Sequence, residues 1–233
     1  MSGNKASSGI VRSDSSINND NHDGTSRCTA DGPPSRRSLL ITSALAAALG
    51  PAALQFARAS GDIPRLSMPE AATRLSGRSD VLLFMRHELT EPGVGDPPNF
   101  RLGDCSTQGN LSSEGRSRAL ERGRALLAFG IKPSKVLSSR WCRCIDTAQL
   151  AFGSVDPWPP LDSFFAQPER QAPQMKALAS ELESFRGPQP WMLVTHQVTI
   201  SAFLGVWTSM GEIVAAERDR SGTAAGWRPL FRI

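Results

Sequence analysis

The sequence predicts an α/β fold of three layers, a mostly parallel sheet with helices on both faces. Three observations carry that expectation. Two short, continuous apolar runs, Val81-Leu82-Leu83-Phe84-Met85 and Trp191-Met192-Leu193-Val194, have the length and composition of strands buried on both sides. Segments with helical spacing of apolar residues alternate with such runs, and Gly or Pro punctuates the changes. The 233 residues are 39% hydrophobic and 21% charged, which suits one globular core and not two full domains.

Taken in order, residues 1 to 35 are rich in Ser, Asn, Asp and Gly and poor in large apolar side chains. Such a segment cannot bury enough surface to offset the entropy of ordering, so disorder is expected there. Ser35-Arg36-Arg37-Ser38-Leu39-Leu40 follows, then an Ala-rich apolar stretch from Leu39 to Leu54, broken at Gly50-Pro51 and ending in Ala57-Arg58-Ala59. A polar region, paired arginines, a modest apolar region and an A-x-A site together resemble a twin-arginine export signal. The stretch falls short of the roughly 20 strongly apolar residues of a membrane span. The expected organisation is a leader over 1–59, whose partner is the export machinery, and one functional domain over 60–233. That domain is expected to be periplasmic or secreted after cleavage near Ala59, with no stable membrane span. An uncleaved N-terminal anchor is the alternative.

Within the domain, Ser67 to Leu75 reads as a short helix with Pro69-Glu70 in its first turn, and Val81 to Met85 as a strand. Residues 88 to 111 carry recurrent Pro and Gly and no helical period, so they form a loop long enough to be functional. Ser112 or Ser113 offers an N-cap, Glu114 falls in the first turn, and Ala119, Leu120, Gly123, Leu126 and Leu127 set a helical face ending at Gly130. Arg116, Arg118, Arg122 and Arg124 form the solvated exterior of that helix. Lys135 to Ser138 reads as a strand, and Trp141 to Phe152 as a helix stopped by Gly153. Met175, Leu178, Leu182 and Phe185 share one helical face, closed by Gly187-Pro188. Trp191 to Val194 is a strand, Val198 to Trp207 a helix, and Gly211 to Ala216 and Trp227 to Ile233 are two edge strands.

Charge excludes one class of partner. Lys and Arg number 26 against 22 Asp and Glu, but six of the basic and four of the acidic residues precede Ser60. The remainder is nearly balanced and has no basic block, so nucleic acid is not an expected partner. Four cysteines are too few for a disulfide scaffold, and Cys28 falls in the leader. In an oxidising compartment Cys105, Cys142 and Cys144 allow one disulfide, Cys105 with Cys142 or with Cys144; otherwise all three are small buried thiols. Cys142-x-Cys144 lacks a second Cys or His pair, so neither a metal nor a cofactor is expected.

The polar chemistry sits at strand ends. The domain has two histidines, and each directly follows an apolar strand: Met85-Arg86-His87 and Val194-Thr195-His196. A third strand ends in Ser138-Ser139 and leads to a helix whose first turn carries Arg143. In an open parallel sheet the carboxyl ends of the strands line one crevice, which brings Arg86, His87, Arg143 and His196 together. Two guanidinium forks and helix N-terminal amides suit a small phosphorylated substrate.

Arg86-His87-Glu88, then Ser138-Ser139-Arg140-Trp141-Cys142-Arg143-Cys144-Ile145-Asp146-Thr147-Ala148, then Val194-Thr195-His196 resemble the histidine phosphatase superfamily of phosphoglycerate-mutase-like fold. Asn110-Leu111-Ser112-Ser113-Glu114-Gly115 is similar to that family's Leu and Gly at the start of its first long helix, and the likeness spans about residues 80 to 205. The resemblance implies a phosphoric monoester hydrolase in which His87 is the nucleophile that becomes a phosphohistidine. Arg86, Arg143 and His196 would hold the phosphoryl oxygens, without a metal. A noncatalytic phosphate-binding or sensing module on the same fold is the alternative. Glu88 and Gln197 stand where the family usually has Gly, and Cys144 where it has Ala. A carboxylate at 88 would be repelled by phosphate unless it turns away or is protonated. For the leaving-group proton, Glu169 is the first candidate by likeness to the mutase branch, with Glu88, Asp162 and Asp104 as rivals. Trp141, Trp158, Phe164 and Phe165 either line the mouth of the pocket or pack in the ordinary way.

Overall fold

The computed structural model describes residues 62–185, 190–219 and 226–233. By its internal contacts the chain divides into Met1–Pro51 and Ala52–Ile233, and every described residue belongs to the second unit. The disorder expected over 1–35, the twin-arginine leader with its cleavage site, and the Gly187-Pro188 helix stop lie outside the described residues. Among the described residues, no helix is long and apolar enough to cross a membrane.

Local sequence signals set most of the elements. Helix α1 (Met68–Leu75) starts at Ser67, whose backbone N–H and hydroxyl both donate to Glu70, so an exposed carboxylate anchors the first turn. Helix α2 (Ser113–Ala128) is capped by Ser112, whose hydroxyl accepts from the Gly115 N–H at 3.0 Å. Helix α3 (Cys142–Phe152) ends where Gly153 takes a left-handed φ of 73°, a conformation open to Gly without strain. Helices α4 (Gln171–Leu182) and α5 (Gln197–Leu204) complete the set. Helix α5 is shorter than the sequence predicts because Gly205 turns the chain left-handed, which leaves Trp207 outside the helix and exposed.

The strands are β1 (Val81–Arg86), β2 (Lys135–Ser138), β3 (Asp156–Pro157), β4 (Trp191–Thr195), β5 (Ile213–Arg218) and β6 (Trp227–Arg232). They form one sheet in the order β3-β2-β4-β1-β5-β6. The first four are mutually parallel, β5 runs antiparallel to β1, and β6 antiparallel to β5. Of the two C-terminal segments expected at edges, only β6 is one. Strand β5 lies inside the sheet, buried from Ile213 to Ala216, and the other edge is the two-residue β3.

Side chains of β1 alternate between two cores, as a strand covered on both faces requires. Val81, Leu83 and Met85 face residues from α1, α2 and α3, while Leu82 and Phe84 face residues from α4 and α5. Each large side chain fully buried here contributes roughly 1.5–3 kcal/mol. This is the three-layer architecture, with the two faces closed by different helices.

Helix α2 corrects the sequence reading of its face. Gly115, Ala119, Gly123 and Leu126 are buried, whereas Leu120 and Leu127 are exposed. The seam is set by close backbone approach: a Cβ on Gly115 would meet the Leu89 carbonyl oxygen, and one on Gly123 the Ala151 carbonyl oxygen of α3. Small residues, not large ones, define which stripe turns inward. Arg122, expected on the solvated face, reaches in to pair with Glu88 at 2.9 Å.

Candidate active site

Parallel pairing places the chemistry. Arg86 of β1 lies opposite Thr195 of β4, and Ser138 of β2 opposite Val194, so His87, His196 and Ser139 leave three adjacent strands at the same edge. The His87 N–H donates to the Thr195 carbonyl at 3.0 Å, and the Ser139 N–H to the Val194 carbonyl at 2.9 Å. The two imidazole rings, both buried, sit with centroids 5.5 Å apart. Helix α3 then delivers Arg143 in its first turn, with Nη2 at 3.5 Å from Nδ1 of His196. Arg86, His87, Arg143 and His196 therefore share one cluster.

Hydrogen bonding fixes the tautomers of both rings. Nδ1 of His87 lies 2.8 Å from the Glu88 carbonyl oxygen, which can only accept, so Nδ1 carries the hydrogen and Nε2 keeps its lone pair. Burial, helped by Arg143 and Arg86 and opposed by the Glu88 carbonyl, pushes this ring down to about 3. The ring is neutral at ordinary pH, as a nucleophile requires. Nδ1 of His196 faces the donor-only guanidinium of Arg143, so its hydrogen sits on Nε2 and is donated to the Ser139 hydroxyl at 2.8 Å. Ser139 donates onward to Asp162 at 3.3 Å, and Asp162 is held by the backbone and guanidinium of Arg140. Burial first, then Arg143, keeps His196 well below the usual range as well.

Arg86 is held from one side. Its Nη1 donates to the Thr208 carbonyl at 2.8 Å, while its Nε is buried without a hydrogen-bond partner. Thr208 is in turn fixed by Gln197, whose side-chain oxygen accepts from the Thr208 N–H at 2.8 Å and hydroxyl at 2.9 Å. Gln197 thus orients the segment that orients Arg86. Burial, followed by repulsion from Arg143, works against the charge on Arg86. A cluster of two guanidinium groups and two neutral imidazoles, one donor left unpaired, is complementary to an anion rich in acceptor oxygens.

Asp96, from the long loop after β1, supplies the negative charge now facing that cluster. Arg143 donates to both of its oxygens, at 2.8 and 3.0 Å. The Gly109 N–H adds a bond at 2.9 Å and Trp141 Nε1 another at 2.9 Å. Burial raises this carboxyl, but the Arg143 bonds, the Gly109 amide and Trp141 outweigh it and hold Asp96 below its ordinary value. The sequence reading did not include Asp96. Its signal was local: a lone carboxylate between Gly95 and Pro97-Pro98, in a loop too long to be a mere connection.

The loop is tied down by a disulfide between Cys105 and Cys142, the residue preceding Arg143. Around it, the Cys142 N–H donates to Gln108 and the Asn110 amide to the Cys105 carbonyl. Cys144 is a free, buried thiol 3.4 Å from Nε2 of His196, and burial pushes it up to about 12, so it stays protonated.

The carboxylates singled out from sequence lie elsewhere. Glu88 is fully buried, with its carboxylate committed to Arg122 and packed against Gly211; only its backbone carbonyl serves His87. Asp162 is an anchor for Ser139 and Arg140. Asp104 caps the short turn Cys105–Thr107 and pairs with Arg101. Glu169 stands exposed in the turn Pro168–Arg170, with no hydrogen bond or ion pair to the four clustered residues. Of the aromatics, Trp141 is buried edge-on to His196 at 5.3 Å, Phe164 is buried, Trp158 donates to Glu181, and Phe165 is 81% exposed. Among the described residues no group of His, Cys, Asp and Glu is arranged to hold a metal ion.

No protein-family model matches the chain, and no curated protein matches it in sequence. Among solved structures, the native mycobacterial glucosyl-3-phosphoglycerate phosphatase is similar over 64% of this chain and 96% of its own, at 18% identity and a TM-score of 0.45. The same phosphatase with inorganic phosphate is similar over 64% and 95%, at 19% identity and a TM-score of 0.45. The protein histidine phosphatase SixA complexed with tungstate is similar over 66% and 96%, at 14% identity and a TM-score of 0.45.

Proposed function

We propose that this protein is an exported phosphatase that hydrolyses a phosphomonoester through a phosphohistidine on His87. The observation that carries the reading is the tautomer of His87: a neutral ring with Nδ1–H spent on a backbone carbonyl and the Nε2 lone pair free beside Arg86 and Arg143. In this reading Nε2 attacks phosphorus and the ester oxygen leaves. Arg86 and Arg143 hold the nonbridging oxygens where charge is gathered, His196 joins them once the substrate displaces the Arg143 contact at its Nδ1 and the ring hydrogen moves to that nitrogen, and water then cleaves the N–P bond. The unpartnered Nε of Arg86 is the donor that a phosphoryl oxygen would satisfy.

The test is a release assay with p-nitrophenyl phosphate and a panel of sugar phosphates, alongside vanadate binding. Turnover of at least one ester with inhibition by vanadate is the expected result. Vanadate or phosphate binding with no turnover of any ester would overturn the enzyme in favour of a noncatalytic sensing module. The self-occupation of Arg143 by Asp96 is the one observation favouring that second reading.

Export is part of the proposal. It rests on the Arg36-Arg37 leader and is supported by the Cys105–Cys142 disulfide, which persists in oxidising compartments. Substituting Arg36→Lys together with Arg37→Lys should strand the precursor in the cytoplasm, read by fractionation. Undiminished delivery would refute the leader assignment.

A further inference from the structure

Asp96 answers a question that the proposed phosphatase leaves open, namely where the leaving group finds a proton. Four carboxylates were candidates on sequence grounds, and the fold removes each. Glu88 and Asp162 are fully buried in ion pairs with Arg122 and Arg140; Asp104 is spent on a turn and on Arg101; Glu169 has no contact with the cluster. Among the carboxylates of the described residues Asp96 alone bonds a guanidinium of the site, and its side chain is neither sealed off nor open, at 19% exposed. Trp141, which packs on His196, and the Gly109 amide aim its carboxylate.

We infer that Asp96 is a catalytic residue of this phosphatase, the acid that protonates the departing ester oxygen and then the base that activates water. The inference rests on the phosphatase reading above. In the ligand-free protein the Asp96 carboxyl is ionised because Arg143 grips it. A phosphoryl group seated against Arg143 and Arg86 reverses the local sign. It takes over part of the Arg143 charge and repels the neighbouring carboxylate, and both effects raise the affinity of Asp96 for a proton. The substrate thereby arms its own acid.

The steps balance. As the His87 Nε2–phosphorus bond forms and the phosphorus–ester oxygen bond breaks, the Asp96 proton passes to the ester oxygen, which leaves as a neutral alcohol. The resulting carboxylate takes a proton from water as the water oxygen bonds phosphorus and the N–P bond breaks. Inorganic phosphate leaves, and His87 and protonated Asp96 are regenerated.

The experiment compares an ester whose leaving group needs no proton, p-nitrophenyl phosphate, with an alkyl ester such as glycerol phosphate. Asp96→Asn keeps the size of the side chain and one of the two acceptor oxygens to which Arg143, Trp141 and Gly109 donate, and cannot carry the proton. It should lower kcat/KM for the alkyl ester by about 10²–10⁴-fold. For the aryl ester the loss should stay below about tenfold. Wild-type kcat for the alkyl ester should fall as pH rises through the Asp96 pKa of the complex, and that limb should vanish in Asp96→Asn. Asp96→Glu, which restores a carboxyl, should recover part of the alkyl activity. Equal losses on both esters would overturn the inference and make Asp96 a positioning residue for Arg143. A gain on both would make it an internal competitor for the phosphate seat. Absence of wild-type turnover on either ester would instead sink the phosphatase reading itself, a failure that the variants are not needed to detect.

Discussion

His87→Asn should lose at least about 10⁴-fold in turnover on every ester that the wild-type protein accepts, because the substitution removes the atom proposed to form the bond to phosphorus. Asn is the informative choice. Its side-chain N–H can still meet the Glu88 carbonyl that now takes the hydrogen of His87 Nδ1, so the local structure is kept while the Nε2 lone pair is deleted. The same geometry specifies the intermediate. Wild-type protein quenched during turnover should carry an acid-labile, base-stable phosphoryl group on Nε2 of His87. Attachment at Nδ1 would require breaking the Glu88 contact and turning the ring inside a buried site. Undiminished turnover in His87→Asn, or label on Nδ1 or on another residue, would refute the assigned nucleophile. The low affinity of the ring for protons adds a second expectation within the same measurement: activity should not titrate with His87 anywhere near neutrality, since burial holds it at about 3.

The elements that place the proposed nucleophile were legible because their physics is local or nearly so. A strand covered on both faces must be apolar where it is covered, and β1 and β4 are apolar up to their last residues, Arg86 and Thr195. The residues that follow such strands must then emerge at the carboxyl edge, which is how Arg86, His87 and His196 were readable as a group. Where the outcome depended on close approach between elements, the sequence offered two answers. In α2 the period permits a stripe through Leu120 and Leu127 or one through Gly115 and Gly123. The choice was made by how near the Leu89 and Ala151 backbones come, a property of the assembled molecule. Strand β5 reads alike as an edge or an interior strand, because the run Ile213-Val214-Ala215-Ala216 does not name its partners. Glu88 looked adjacent to the phosphate seat by its place in the chain, yet the strand end turns its carboxylate to Arg122. Asp96 had no periodic context at all; its position follows from the loop being fastened at Cys105 and Gln108.

That fastening carries the second large effect. Replacing Cys105 and Cys142 together by Ser should destabilise the protein by about 4 kcal/mol, the loop-closure entropy of a cross-link of this span. The bonded residues are 37 apart in sequence, and the segment they enclose contains all of α2. Chemical denaturation of the double variant against the oxidised wild type reads this as a lower midpoint with a steeper slope, since the unfolded chain without the cross-link exposes more surface. Function should suffer beyond the loss of stability, because the bond joins the loop bearing Asp96 and Gly109 to the first turn bearing Arg143. Once it is cut, hydrogen bonds alone hold the Asp96–Arg143 pair: its own, those from Trp141 and Gly109, and the Gln108 contact to α3. Under conditions where both proteins remain folded, the larger change is expected in KM, since Arg143 would meet substrate without a fixed frame. Reduction of the wild type should reproduce both effects and leave the Ser variant unmoved. Cys144 does not confuse the comparison: it is buried, and burial keeps its thiol protonated and unreactive up to about 12. A midpoint indifferent to reductant would show that the loop is held by its hydrogen bonds alone, and the disulfide would then lose its part in organising the site.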